Sequence, residues 1–268
     1  MYWTKEPALE TPYFKECMSY NRFRVILSLL HFECLNDDSP DVLHKIRPVL
    51  DHLITNFQAV YRPGENISID ESLLLWKGRL KFKQFNRNRR SRFGIKLYEM
   101  CESKSRYAYN VKIYAGKDAD KSYTDKRIGV SGEVVKLLIG DLNEQGGTLF
   151  IDNWYTSPML ALQLHNQKTN VFGTVRINPK HLPKLNAKEI KRGQMKVFHT
   201  PKLCFVSWHD KKLVTMLTTV HVPELIDTGK TNFRTGERIQ KPNVVISYNN
   251  NMGGVDTIFF YEGSGKSA

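Results

Sequence analysis

A chain of 268 residues with 41% hydrophobic and 25% charged side chains has enough apolar material for a packed core, which excludes a wholly disordered polymer. No run of about 18 apolar residues occurs, so no helical membrane span is expected. Forty Lys and Arg against 27 Asp and Glu leave a formal charge of +13, which favours a polyanionic partner, most simply nucleic acid, over a basic surface without one.

The first sixty residues read as helical. Thr11-Pro12 and Ser39-Pro40 each pair a capping residue with a proline suited to a first helical position. Arg24 to Phe32 is a short apolar helix. Val42, Ile46, Val49, Leu50, Leu53, Ile54 and Phe57 recur at helical spacing, which predicts an amphipathic helix that Pro48 kinks. After Pro63-Gly64 the texture turns to strands: Ile67 to Leu75, Ile95 to Met100 and Tyr107 to Tyr114. A helix from Glu133 to Leu142 follows. Gly146-Gly147 leads into a short buried strand, Thr148 to Ile151, and Ser157-Pro158 opens a helix through Leu164 before a strand at Asn170 to Arg176. Such an alternation predicts a mixed α/β layer. Residues 178–241 are basic and carry strand patterns at Met195 to His199, Leu203 to Trp208 and Leu213 to Val220. They read as an inserted β-rich subdomain, after which Pro242 to Tyr248 returns to the layer. The expected divisions are 1–62, 63–177, 178–241 and 242–268.

The positive charge is concentrated. From Ser72 to Tyr98 there is no acidic residue, while Lys77, Arg79, Lys81, Lys83, Arg87, Arg89, Arg90, Arg92 and Lys96 are interleaved with Trp76, Phe82, Phe85 and Phe93. Basic side chains neutralise phosphates and aromatic ones stack on exposed bases. A solvated basic hairpin with its aromatics in the core is the alternative. Lys77, Arg79, Arg89, Arg90 and Arg92 are the candidate phosphate contacts. The cysteines, Cys17, Cys34, Cys101 and Cys204, contain no C-x-x-C pair, so no structural zinc site and a reducing compartment are expected.

Three aspartates stand out. Asp70 interrupts Ile67-Ser68-Ile69-Asp70-Glu71-Ser72, Asp152 ends Leu149-Phe150-Ile151-Asp152-Asn153-Trp154-Tyr155, and Asp256 follows Gly253-Gly254-Val255. A carboxylate at the end of an apolar run is costly to bury unless it is paired or holds a cation. Divalent cations take oxygen ligands of this kind, and phosphoryl transfer uses them. Each aspartate also has a plainer role open to it: a strand-end turn for Asp70, an Asx-turn for Asp152, a helix cap for Asp256. Glu65, Glu71 and Asp141 read as surface or turn acids.

Several blocks in order carry a family resemblance. Pro63-Gly64-Glu65-Asn66-Ile67-Ser68-Ile69-Asp70-Glu71-Ser72 with Lys77-Gly78-Arg79 and Phe93-Gly94-Ile95-Lys96-Leu97 resembles the first catalytic block of piggyBac-type transposases. Phe150-Ile151-Asp152-Asn153-Trp154-Tyr155-Thr156-Ser157, followed by Gly173-Thr174-Val175-Arg176, is similar to the second, and Tyr248-Asn249-Asn250-Asn251-Met252-Gly253-Gly254-Val255-Asp256 to the third. Asn21-Arg22-Phe23 and Lys45-Ile46-Arg47-Pro48 match the helical region before the core. The resemblance implies an RNase H-like (retroviral-integrase-like) core and cut-and-paste DNA transposition at TTAA targets. Its implied site is Asp70, Asp152 and Asp256 as catalytic residues and ligands of two Mg²⁺ ions. Double-stranded DNA is the implied partner, a homodimer is left open, and the nucleus is the implied location.

The chain departs from the family pattern in three places. Phe259 stands where relatives commonly carry a further aspartate, the chain ends twelve residues after Asp256, and Asn86-Arg87-Asn88-Arg89-Arg90 lacks the usual prolines. It therefore reads as a member truncated at both ends, without the Cys/His-rich tail. Three functions stay open: a metal-dependent transposase core, a domesticated DNA-binding protein that has lost the chemistry, and a protein-interaction domain whose basic face is incidental.

Overall fold

The computed structural model describes residues 2–32, 39–87, 92–116, 125–176, 181–186, 189–220, 222–231, 233, 236 and 238–255. Arg89, Arg90, Asp256 and Phe259 lie outside the described residues. The chain divides into two compact units, Met1–Leu53 and Ile54–Ala268.

In the first unit, α1 (Pro12–Cys17) and α2 (Tyr20–Leu29) have no buried residues. Trp3 gathers the rings of Phe14, Tyr20 and Phe23, and its indole N–H donates to the Met18 carbonyl at 2.8 Å. The second helix starts earlier than its apolar run, because Ser19 caps it: the Ser19 hydroxyl accepts from the Arg22 N–H. A 3-10 turn, His44–Ile46, leads into α3 (Arg47–Val60), which runs across the division between the units. The Asp41 carboxylate accepts from the Leu43 N–H and pairs with Arg47 at 2.7 Å. Pro48 therefore does not kink a helix. It sits in the first turn, where its missing N–H has no helical partner to lose.

The second unit is built on a sheet. Its strands are β1 (Asn66–Leu75), β2 (Gln84–Phe85), β3 (Phe93–Glu102), β4 (Ala108–Ile113), β5 (Thr148–Ile151), β6 (Asn170–Thr174), β7 (Met195–His199), β8 (Cys204–His209) and β9 (Leu213–Thr218). The order is β2-β3-β1-β5-β6-β9-β8-β7, with β4 on β3. β3 is antiparallel to β1 and to β4, whereas β1, β5 and β6 are mutually parallel neighbours. The parallel pairs need crossovers, and α5 (Pro158–Asn166) supplies the one from β5 to β6. Ser157 caps α5 by accepting from the Leu160 N–H, with Pro158 opening it. The earlier helix, α4 (Gly129–Ile139), begins four residues before the expected Glu133 and continues as a 3-10 turn to Leu142. The strands of 195–218 continue the same sheet, while β10 (Leu225–Thr231) and β11 (Arg238–Pro242) pair only with each other among the described residues.

Alternation along the strands assigns the two faces. Ile67 and Ile69 join Leu149, Ile151, Val171 and the helix residues Val134, Val135, Leu138, Leu160 and Leu164 in one core. Phe150, Phe172, Val206 and Met216 face the other way and pack with Val244 and Val245 of α6 (Asn243–Asn251). The result is a mixed α/β architecture in which α4 and α5 cover one face of a large sheet and α6 covers the other.

Candidate active site

Asp70 and Asp152 are brought together by register. Parallel strands β1 and β5 pair Ile69 with Ile151; Asp70 is the next residue of β1, and Asp152 is the first residue after β5. Asp70 shares its face with Ser68 and Ser72, the face that α6 covers. On β3, Glu99 lies directly across from Asp70. Burial raises the Asp152 carboxyl above its usual range, the Trp154 N–H pulls it back, and the Glu71 charge pushes it further up. Carboxylates such as these, one on β1 and one just past the end of β5, are the oxygen donors that hard cations take.

The turn after β5 holds Asp152 in place. Its Oδ1 accepts the Trp154 N–H at 2.8 Å, so the Asx-turn geometry is realised. Its carbonyl accepts from the Thr156 hydroxyl at 2.7 Å and from the Thr156 N–H at 3.1 Å. Thr156 in turn lies on Gly173 of β6, where a Cβ would collide with its side chain. Tyr155 is buried among Tyr98 and Trp154, and its hydroxyl has no hydrogen-bond partner among the described residues. Burial and the charges of Glu71, Asp70 and Asp152 push that phenol far up.

From the opposite side, α6 places Tyr248 near the same carboxylates. Its hydroxyl bonds Thr174, and burial together with the charges of Asp152 and Asp70 pushes its pKa up to about 12. The chain then closes onto β1 and β3. A Cβ on Gly254 would stand 2.6 Å from Ser68 Oγ and 3.4 Å from the Cys101 Cβ. Only glycine lets the backbone approach that strand pair so closely. Val255, the last described residue, is buried. Asp256 follows it and lies outside the described residues. Among the described residues no group of three or more His, Cys, Asp and Glu side chains is arranged to hold a metal ion.

Glu71 departs from the surface role expected of it. Its carboxylate is 2.7 Å from Lys96 Nζ, with both side chains about two-thirds covered or more. The local signal was present in the alternation: the residue after Asp70 must face the other side of the strand. What the sequence did not show is that Lys96 waits there.

Of the candidate phosphate contacts, Lys77, Arg79 and Arg92 are exposed. The segment leaves β1 at Leu75, five residues beyond Asp70, a distance of about 17 Å along the strand. Its aromatics are not in the core. Trp76, Phe85 and Phe93 are 42%, 57% and 49% exposed. Phe85 packs on Phe93, and Lys83 lies over the Phe93 ring. The alternative of a basic hairpin with core aromatics is therefore corrected for these three rings; Phe82 is half-buried.

Comparison with known proteins places the chain in a family. The family model described as Transposase IS4 matches residues 1–259. The chain is 26% identical to PiggyBac transposable element-derived protein 2 of Homo sapiens over 95% of its own length and 45% of that protein's. It is 27% identical to PiggyBac transposable element-derived protein 3 of Homo sapiens, over 96% of this chain and 45% of the relative. The chain thus spans about half the length of these curated relatives. A cryo-EM structure of a piggyBac transposase synaptic complex with hairpin DNA superposes with a TM-score of 0.80 at 28% identity, over 96% of this chain and 53% of that one. By sequence and by fold, the chain belongs to the piggyBac-type branch of the Transposase IS4 family.

Proposed function

We propose that the chain is the catalytic core of a DNA transposase, with an RNase H-like fold, that cleaves and joins DNA strands by metal-dependent phosphoryl transfer. The observation that supports this reading is the pairing of Ile69 with Ile151 in parallel strands β1 and β5, each the residue just before one of the two aspartates. The mixed sheet, with β3 and β4 antiparallel to the left of β1 and β5 and β6 parallel to its right, supports the fold assignment.

In this reading Asp70, Asp152 and Asp256 hold two Mg²⁺ ions. The all-oxygen donor set fits that hard cation, and the residues preceding Asp256 run against Ser68, one turn of the pleat from Asp70. When bound, such ions stabilise charge on the attacking and leaving oxygens of an in-line displacement. The chain's own residues do the rest. The Thr156 and Trp154 bonds orient Asp152, and the buried phenols of Tyr155 and Tyr248 lie within the field of the Asp70 and Asp152 charges. Lys77, Arg79, Arg89, Arg90 and Arg92 neutralise backbone phosphates, and the exposed Trp76, Phe85 and Phe93 offer stacking faces. DNA is the partner, as hairpin DNA is for the piggyBac transposase of similar fold. A second copy of the chain and a nuclear location belong to the same reading.

The test is nicking of duplex DNA in Mg²⁺, with EDTA as the control. Asp70→Asn and Asp152→Asn should each reduce nicking to background. Nicking that persists in either variant refutes the site. A second reading, a domesticated DNA-binding protein without the chemistry, is favoured by the human relatives being named transposable element-derived proteins. It predicts salt-sensitive DNA binding with no cleavage in any divalent cation.

A further inference from the structure

The strands of the sheet do not all end at one level, and the short ones lie beside Asp152. Followed across from Ile69, the pairing runs through Ile151, Gly173, Leu217 and Phe205. β5 stops at that level, and β6 stops at Thr174, the next residue. β1 runs on past it to Leu75, and the β8–β9 pair runs on past it to His209 and Leu213. Two projecting banks therefore flank the ends of the short strands. Three strand spacings put β1 and β9 about 14 Å apart across the sheet.

The β1 bank leads into the segment with the exposed cations Lys77, Arg79 and Arg92. The opposite bank is basic too, and two separate segments build it. The turn between β8 and β9 supplies Lys211 and Lys212, and the turn before β7 supplies Lys191 and Arg192. The two turns are fastened together at His209. The Gly193 N–H donates to the His209 carbonyl at 2.7 Å, the His209 N–H donates to the Gln194 carbonyl at 3.1 Å, and His209 Nδ1 lies 2.7 Å from the Ile190 carbonyl oxygen.

All four cations are exposed, and none has an ion-pair partner among the described residues. The nearby acids do not balance them. Glu189 pairs with Lys196 at 3.8 Å, and Asp210 is one charge against four. A lysine that guards an open sheet edge sits on the edge strand, as Lys196 does on β7, whereas these four sit in turns. Like charges gathered at one end of a sheet repel one another, and a polyanion relieves that repulsion.

We infer that the turns at 191–194 and 209–212 form a second phosphate-contacting surface, and that one DNA duplex rests on both banks with Asp152 between them. About 14 Å is less than half of the roughly 34 Å turn of a duplex, so both banks meet phosphates of the same helical turn. This rests on DNA being the partner of the chain.

The experiment is fluorescence anisotropy of the full chain on a labelled duplex of about three helical turns, roughly 30 bp, over a range of salt concentrations. The proteins are wild type, Lys211→Gln/Lys212→Gln, Lys191→Gln/Arg192→Gln and the four substitutions together. Lys104→Gln/Lys168→Gln is the control of equal charge. Both of its residues are exposed and lie at the other end of the sheet, one just after β3 and one just before β6. At 0.9 per phosphate, each double variant should flatten the slope of log K against log salt by about 1.8, and the fourfold variant by about 3.6. The control should leave the slope at that of wild type. The losses from Lys211→Gln/Lys212→Gln and from Lys77→Ala/Arg79→Ala should add when the two pairs are combined. If wild type does not bind at low salt, the DNA reading itself fails and takes this inference with it. If wild type binds and the fourfold variant keeps the wild-type slope, only the inference is overturned. A control that flattens the slope as much as either double variant also overturns it, and so do losses that fail to add, because the banks would then not share one duplex. Should one double variant not fold, as thermal melting would show, the other decides by the same slope.

Discussion

At the scale of single residues, carboxylates in this protein are sorted by what surrounds them. Asp152 is pushed toward its protonated form by burial and by Glu71. Glu102, at the end of β3, goes the other way. Burial alone would raise it, but bonds from the Ser105 N–H and hydroxyl and from Tyr61, with Lys104 nearby, outweigh that and hold it below 4.5. A group whose native pKa is depressed takes up a proton less readily folded than unfolded. Its stabilisation is therefore present above its ordinary pKa and lost as the pH falls through the depressed native value. Glu102→Gln should lower stability at pH 7 by about 1 kcal/mol. The gap from wild type should close as the pH is taken below about 4. Melting curves across pH check this, and a gap that widens in acid would contradict it.

Elements come next, and β6 shows how one position can serve both packing and the site. Gly173 receives Thr156, whose hydroxyl bonds the Asp152 carbonyl. Thr156 is β-branched and cannot swing clear, so Gly173→Ala should cost about 1–3 kcal/mol as an overpacked contact. Adding Thr156→Ala should recover most of that stability, and failure to recover would place the strain elsewhere. On α5, Leu164 is fully buried in the core beneath β5 and β6. Leu164→Ala should cost about 2–5 kcal/mol by urea unfolding, with no effect of its own on the charged segment at 76–92.

For the molecule as a whole, the charge of +13 makes a quantitative demand on any DNA complex. Binding releases counterions, so log K falls linearly with log salt, by about 0.9 for each phosphate neutralised. Lys77→Ala/Arg79→Ala removes two exposed cations and should flatten that slope by about 2. Fluorescence anisotropy on a labelled duplex at several salt concentrations measures it. An unchanged slope would remove these two residues from the interface, and absence of binding at low salt would favour a protein-interaction role.

The strand runs at 67–75, 148–151 and 195–218, the helix opening at Ser157-Pro158 and the aspartates that end apolar runs were all legible from the order of residues, because periodicity and capping are local. The same holds for the family blocks around Asp70 and Asp152. Pro48 and Glu71 were misjudged for the opposite reason. Whether a proline starts or bends a helix depends on what turn precedes it, and here Asp41 and Arg47 build that turn. Whether an acid is solvated depends on its neighbour across the sheet, and β3 delivers Lys96 to Glu71. Pairing register between strands eighty residues apart is a long-range property that no local pattern encodes. Alternation therefore determined which side chains share a face, and only the parallel docking of β5 beside β1 decided that Ile69 and Ile151, the residues before Asp70 and Asp152, are paired.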